Sequence, residues 1–75
     1  MTKELYNMFM TSAEADKAKA LLSLDLLGNK GVGIGDHSTE DYYKNAEEAL
    51  SMLVDADDKI AALNRYFNQK KVIKG

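Results

Sequence analysis

The chain has 75 residues, a formal net charge of −2, no cysteine and no proline. This length allows one domain, near the lower limit at which a single core stabilises a fold without help. The missing cysteines exclude disulfides and thiolate metal sites. The nearly balanced charge argues against a nucleic-acid partner, because nucleic-acid-binding domains usually carry a basic stripe.

Apolar runs in the sequence are short. No run reaches the roughly 20 residues that a transmembrane helix needs. Residues 1–4 lack the basic and then apolar layout of a signal peptide. We therefore expect a cytoplasmic protein with no membrane partner.

The first predicted helix covers about residues 2–27, where Ala, Leu, Lys, Glu and Met dominate. Thr2 is predicted to cap its start, and Gly28 to mark its end. Residues 11–14 match the T-x-x-E capping box, so the helix could begin again there and leave residues 2–10 as a separate short helix. We favour one continuous helix, because nothing near that box forbids helical backbone.

A glycine-rich turn is predicted at residues 28–37, which hold four of the five glycines. Glycine permits the positive φ angles of a chain reversal. The pattern G-V-G-I-G superficially resembles a nucleotide-binding loop, but it follows a helix, and no Lys-Ser or Lys-Thr follows the glycines. We therefore expect a structural turn and no cofactor. The side chains of Val32 and Ile34 are predicted to fold back and cover the end of the bundle.

One cluster of side chains in this region could hold a metal ion: Asp36, His37, Glu40 and Asp41. Histidine with carboxylates suits zinc or another divalent ion. The favoured interpretation is structural, because Glu40 and Asp41 also suit the positive end of a helix dipole. Nowhere does the sequence assemble a catalytic arrangement, so we expect no enzyme. A metal- or small-ligand-binding helical bundle is the alternative function.

The second predicted helix covers about residues 38–69. Ser38 and Asp41 form a close variant of the capping box at its start. Residues 70–75 are predicted to be a mobile tail.

Apolar residues of the second helix recur at intervals that alternate between four and three: Tyr42, Ala46, Ala49, Leu53, Ala56, Ile60, Leu63 and Phe67. This heptad pattern predicts a seam packed against a partner helix. A second apolar line lies beside the first, at Tyr43, Leu50, Val54 and Ala61. The first helix also has two apolar sides, one at Leu5, Phe9, Ala13, Ala20, Leu24 and Leu27 and the other at Met8, Ala15, Ala18, Leu22 and Leu26.

The paired apolar lines predict an all-α fold, a two-helix antiparallel hairpin in one domain. A single hairpin would leave one line of each helix in water, so we expect a homodimer that forms a four-helix bundle. A monomer with a wide core face is the alternative. The predicted interface residues are Tyr42, Tyr43, Leu50, Leu53, Val54, Ile60, Leu63 and Phe67. The function expected is that of a non-enzymatic interaction or adaptor protein.

Residues 32–41, V-G-I-G-D-H-S-T-E-D, begin a stretch with a family resemblance. The stretch continues in Ala46, Glu47, Ala49, Leu50 and residues 55–59. It resembles short uncharacterised proteins encoded by T4-like phages of marine cyanobacteria and related ocean sequences. The resemblance implies an auxiliary phage protein in the host cytoplasm, with a host or phage protein as partner and no catalytic residue.

Overall fold

A computed structural model describes residues 1–30 and 39–68 of the chain. These residues form two α-helices, α1 at Lys3–Lys30 and α2 at Thr39–Phe67, which pack against each other side by side. Side-chain contacts at both ends of the pair show that the helices run antiparallel. The predicted all-α hairpin is therefore confirmed.

Several predicted features fall on other parts of the chain. Three predictions lie outside the described residues: the packing of Val32 and Ile34 over the bundle end, the cap at Ser38 and the mobile tail at residues 70–75. They stay predictions.

Thr2 caps the start of α1. Its Oγ1 accepts a hydrogen bond from the backbone N–H of Leu5 at 3.1 Å. Its carbonyl oxygen accepts from the N–H of Tyr6 at 2.9 Å. The first bond gives a partner to an amide that has no acceptor within the helix, which is the stabilising role of an N-cap threonine, and the second is the first backbone bond of the helix. The predicted cap is confirmed.

α1 is continuous through Thr11 and runs three residues past its predicted end, to Lys30. Gly28 was expected to end the helix, but it has no positive φ and stays helical. A glycine ends a helix when it adopts the left-handed conformation, and its presence alone does not impose that conformation. A methyl group added at Gly28 would meet nothing within 4 Å, so no neighbour requires glycine there.

α2 begins at Thr39 and ends at Phe67, two residues before the predicted end. Glu40 and Asp41 lie in its first turn, and Arg65 lies in its last turn. Acidic groups near the amino end and a basic group near the carboxyl end both interact favourably with the helix dipole. The charge placement therefore agrees with the observed bounds.

The hairpin is one helix thick. Its principal extents are 56 × 21 × 15 Å, and an α-helix with its side chains is about 10–12 Å across. Each helix consequently has a single neighbour within the chain. Over α1 and α2, the structure shows no apolar stretch of the length that a membrane crossing requires.

Candidate interaction surfaces

Each helix contributes one column of residues at seven-residue spacing to the contact between α1 and α2. The α1 column is Tyr6, Ala13, Ala20 and Leu27, and the α2 column is Tyr42, Ala49, Ala56 and Leu63. The four alanines and Leu63 are the buried apolar residues of the described ranges. Tyr6, Leu27 and Tyr42 are half-buried. Small side chains at the contact let the helix axes approach closely.

Tyrosine hydroxyls set the register at both ends of these columns. At the open end, the Tyr6 hydroxyl donates to Asn64 Oδ1 at 3.1 Å. At the turn end, the Tyr42 hydroxyl donates to the Leu27 carbonyl oxygen at 3.4 Å. In that register the opposing pairs are Tyr6 with Leu63, Ala13 with Ala56, Ala20 with Ala49, and Leu27 with Tyr42.

The two columns repeat the same order of residue types, which is Tyr, Ala, Ala, Leu. The contact is therefore approximately two-fold symmetric within one chain. The α2 column lies inside the predicted heptad seam, and the seam is confirmed except at Phe67, which is 41% exposed. Tyr6 was not among the predicted apolar residues of α1, although it stands seven residues before Ala13 and could have been found by that spacing. Nothing in the sequence pattern pointed to Asn64.

Large apolar side chains stay outside this contact. The residues that keep between 41% and 68% of their surface exposed are Met1 before α1, Leu5, Met8, Phe9, Leu21, Leu22 and Leu26 on α1, and Tyr43, Leu50, Met52, Val54, Tyr66 and Phe67 on α2. No described large side chain is fully buried. The hairpin thus buries the four alanines of its columns and exposes most of its leucines and aromatic residues.

An ion pair bridges the helices on one side of the columns. Lys17 Nζ lies 3.3 Å from Asp57 Oδ1. Residues three, four or seven apart share a side of a helix. Outside the buried columns, some apolar residues lie three, four or seven positions from Lys17 or from Asp57. They are Met10, Leu21 and Leu24 on α1 and Leu50, Leu53, Val54, Ile60 and Ala61 on α2. We call this set the leucine face.

The other side of the columns, which we call the cleft face, contains two hollows. The hollow at the open end has a volume of about 450 Å³ and is lined by Met1, Phe9, Ser12, Ala13, Asp16, Lys59, Ala62, Leu63 and Phe67. The hollow toward the turn has a volume of about 420 Å³ and is lined by Ser23, Leu26, Leu27, Asn45, Glu48, Ala49 and Met52. Polar and charged groups therefore alternate with apolar ones along this face.

The predicted interface residues divide into two groups. Leu63 is buried, and Tyr42, Leu53 and Ile60 are half-buried beside α1. Tyr43, Leu50, Val54 and Phe67 are exposed, by 58%, 52%, 49% and 41%. The first group contributes to the hairpin itself. The role of all eight in a contact between two chains stays a prediction.

Of the predicted metal cluster, the described residues include only Glu40 and Asp41, in the first turn of α2. Asp36 and His37 lie outside them. Within residues 1–30 and 39–68, no group of three or more His, Cys, Asp or Glu side chains is placed to hold a metal ion. The metal site stays a prediction.

Comparison of the chain with protein-family models, with curated proteins and with solved structures finds no match. The resemblance to cyanobacterial phage proteins therefore also stays a prediction.

Proposed function

We propose that this protein is a non-enzymatic helical interaction protein that self-associates, with two hairpins packing as a four-helix bundle. The observation that carries the proposal is the inverted burial of the hairpin. Its closed contact buries four alanines and Leu63, while most of its leucines, methionines and aromatic residues are exposed.

The small core supports this proposal energetically. Complete burial of a Leu, Ile, Val, Met or Phe side chain contributes about 1.5–3 kcal/mol, and an alanine methyl contributes much less. Leu63 is the one large side chain that α1 and α2 bury, at 7% exposure. Chains of this size commonly add oligomerisation or another constraint to a core that is too small. A second hairpin would supply the missing apolar contact.

The exposed area points in the same direction. The chain exposes 5822 Å², whereas a compact monomer of 8.3 kDa would expose about 4,600 Å². The excess is about 1,200 Å². A stable interface of standard size buries about 800 Å² on each partner. Association of two hairpins through such an interface would therefore remove about two thirds of the excess from each chain.

A four-helix bundle is the arrangement that suits this geometry. Domains are usually built from at least two packed layers around a common core, and this hairpin forms a single layer 15 Å thick. Two antiparallel hairpins stacked face to face give each helix two neighbours and enclose an apolar centre.

Sedimentation equilibrium of the full chain tests the proposal. The expected mass at tens of micromolar is twice the 8.3 kDa of the chain. A mass of 8.3 kDa, from a sample that is fully helical and unfolds cooperatively, would contradict it. Helicity must be recorded on the same sample, because an unfolded chain would also sediment as a monomer.

A further inference from the structure

We propose that the second copy docks on the leucine face, around the Lys17–Asp57 ion pair, and that the cleft face remains on the outside of the dimer. This inference rests on the proposed function and specifies its interface. The hairpin has two broad sides, and the distribution of apolar and charged groups distinguishes them.

Apolar residues are contiguous on the leucine face. Leu21 and Leu24 of α1 lie on the same side of the hairpin as Leu50 and Leu53 of α2, toward the turn from the ion pair. Met10 and Ile60 continue the surface toward the open end. Leu21 and Leu50 are exposed by 48% and 52%, while Leu24 and Leu53 are half-buried. A partner would therefore complete a core that the hairpin has only begun.

Charge at the centre of the leucine face is already compensated. Lys17 and Asp57 stand at its centre and pair with each other across the two helices. Two copies can meet there without bringing unpaired like charges together, which is costly in an interface. Glu14, three residues before Lys17, and Glu47, three residues before Leu50, also lie on this side and are exposed, so an interface here must leave both carboxylates at its solvated rim.

Charge on the cleft face is less suited to burial. Asp16 and Lys59 line the hollow at the open end, and Glu48 lines the hollow toward the turn. Ser12, Ser23 and Asn45 lie among them. Covering this side would remove water from these charged and polar groups, and each would need a new partner to offset that cost.

The occupant that fits the leucine face is a second copy of this chain. The face is elongated, apolar along both helices and neutral at its centre, so it complements itself under a two-fold rotation, as an isologous interface requires. Stacking through it also gives the layered bundle of the proposed function. A different helical protein is the competing occupant, and the experiment below separates the two.

Two matched leucines give the first test. Leu50 lies on the leucine face and is 52% exposed, and Leu26 lies in a hollow of the cleft face and is 49% exposed. A Leu50→Asp substitution introduces two charges into the proposed interface, one from each copy. We expect the dimer dissociation constant of Leu50→Asp to rise at least about tenfold, equivalent to 1.4 kcal/mol. That of Leu26→Asp should stay within about threefold of wild type.

Thiol reactivity gives a second readout that tolerates any loss of folding in the aspartate variants. The chain has no cysteine, so Leu50→Cys and Leu26→Cys each carry one thiol for reaction with an aromatic disulfide reagent. We expect the thiol at position 50 to react at least about tenfold more slowly at dimeric than at monomeric concentrations. The thiol at position 26 should react at the same rate at both.

The outcomes separate this inference from the proposed function. A wild-type chain that is monomeric throughout removes both. A dimer that is broken by Leu26→Asp and tolerates Leu50→Asp keeps the proposed function and overturns the leucine face as its interface. A dimer whose position 50 thiol reacts freely also overturns the inference, because the leucine face would then be open to another protein. Concentration-dependent protection at position 50 alone confirms it.

Discussion

Tyr6 and Asn64 join the open end of the hairpin, although 58 positions separate them in the sequence. The Tyr6 hydroxyl donates to Asn64 Oδ1 at 3.1 Å, and Asn68 Nδ2 donates to the same oxygen at 3.2 Å. This half-buried group connects the start of α1 to the end of α2. Alanine contacts have little shape to define an axial position, so the hydrogen bond helps to set the register of the two helices.

Removing the Tyr6 hydroxyl tests that role. We expect Tyr6→Phe to lower the free energy of unfolding by about 0.5–1 kcal/mol, because one net hydrogen bond is lost while Asn64 keeps its bond to Asn68. Tyr66, which is 68% exposed, provides the control. Tyr66→Phe should change stability by less than about 0.5 kcal/mol in the same urea titration. Equal losses of unfolding free energy in both variants would show that the Tyr6 hydroxyl does not stabilise the register of the two helices.

Close approach at the alanine columns makes a second prediction. Ala20 has 0% exposure, whereas Ala18 on the same helix is exposed. Ala20→Leu should cost about 1–3 kcal/mol, because the larger side chain forces α1 and α2 apart. Ala18→Leu should stay within about 0.5 kcal/mol of wild type, since both substitutions change helix propensity equally. Thermal unfolding followed by circular dichroism measures the difference, and an Ala20→Leu protein as stable as wild type would refute the close contact.

The salt dependence of the Lys17–Asp57 ion pair reports whether a second copy covers the leucine face. In the hairpin alone its side chains are 42% and 59% exposed, and the coupling of such a pair is small and screened by salt. A second copy over the face removes that water. We therefore expect the coupling energy from a double-mutant cycle of Lys17→Ala and Asp57→Ala to change little between low and high salt in the dimer.

The control is the same double-mutant cycle repeated in the Leu50→Asp protein, where the proposed interface is expected to be lost. There the coupling should fall as salt rises. Loss of the coupling with salt in the wild-type dimer would place the ion pair in solvent and argue against a covered leucine face.

The cap at Thr2 affects the first turn of α1 locally. Thr2→Ala should weaken that turn by about 1 kcal/mol, since the amide of Leu5 loses its side-chain acceptor. The backbone carbonyl that accepts from Tyr6 remains, but the side chain no longer holds it in place. Hydrogen exchange at these two amides should quicken, while exchange at Ala20 stays unchanged. Thr2→Ser should restore protection, because serine offers the same oxygen. Unchanged exchange in Thr2→Ala would contradict the capping role.

The fold could be predicted from the sequence because α2 carries an unambiguous pattern. Its apolar residues alternate at intervals of four and three from Tyr42 to Phe67, and this fixes both the helix and the side that packs. α1 was less informative. Its apolar residues occur on several sides of the helix, as Leu5, Phe9 and Leu22 show. Periodicity alone could therefore not select the side that faces α2.

The surfaces could be predicted only in part, for a physical reason. The second apolar line of α2, with Leu50 and Val54, was visible in the sequence and is exposed in the structure. The leucine face as a whole was not visible, because it depends on the register that brings Lys17 beside Asp57. Register is a relation between two helices, and neither helix encodes it alone.

A second copy that completes the fold of this hairpin should make its stability depend on protein concentration. The midpoint of thermal unfolding, followed by helical circular dichroism over at least a hundredfold range of concentration, measures that dependence. Because association stabilises the folded state by mass action, we expect a midpoint that rises steadily with concentration. A cooperative transition whose midpoint is the same at every concentration would contradict it.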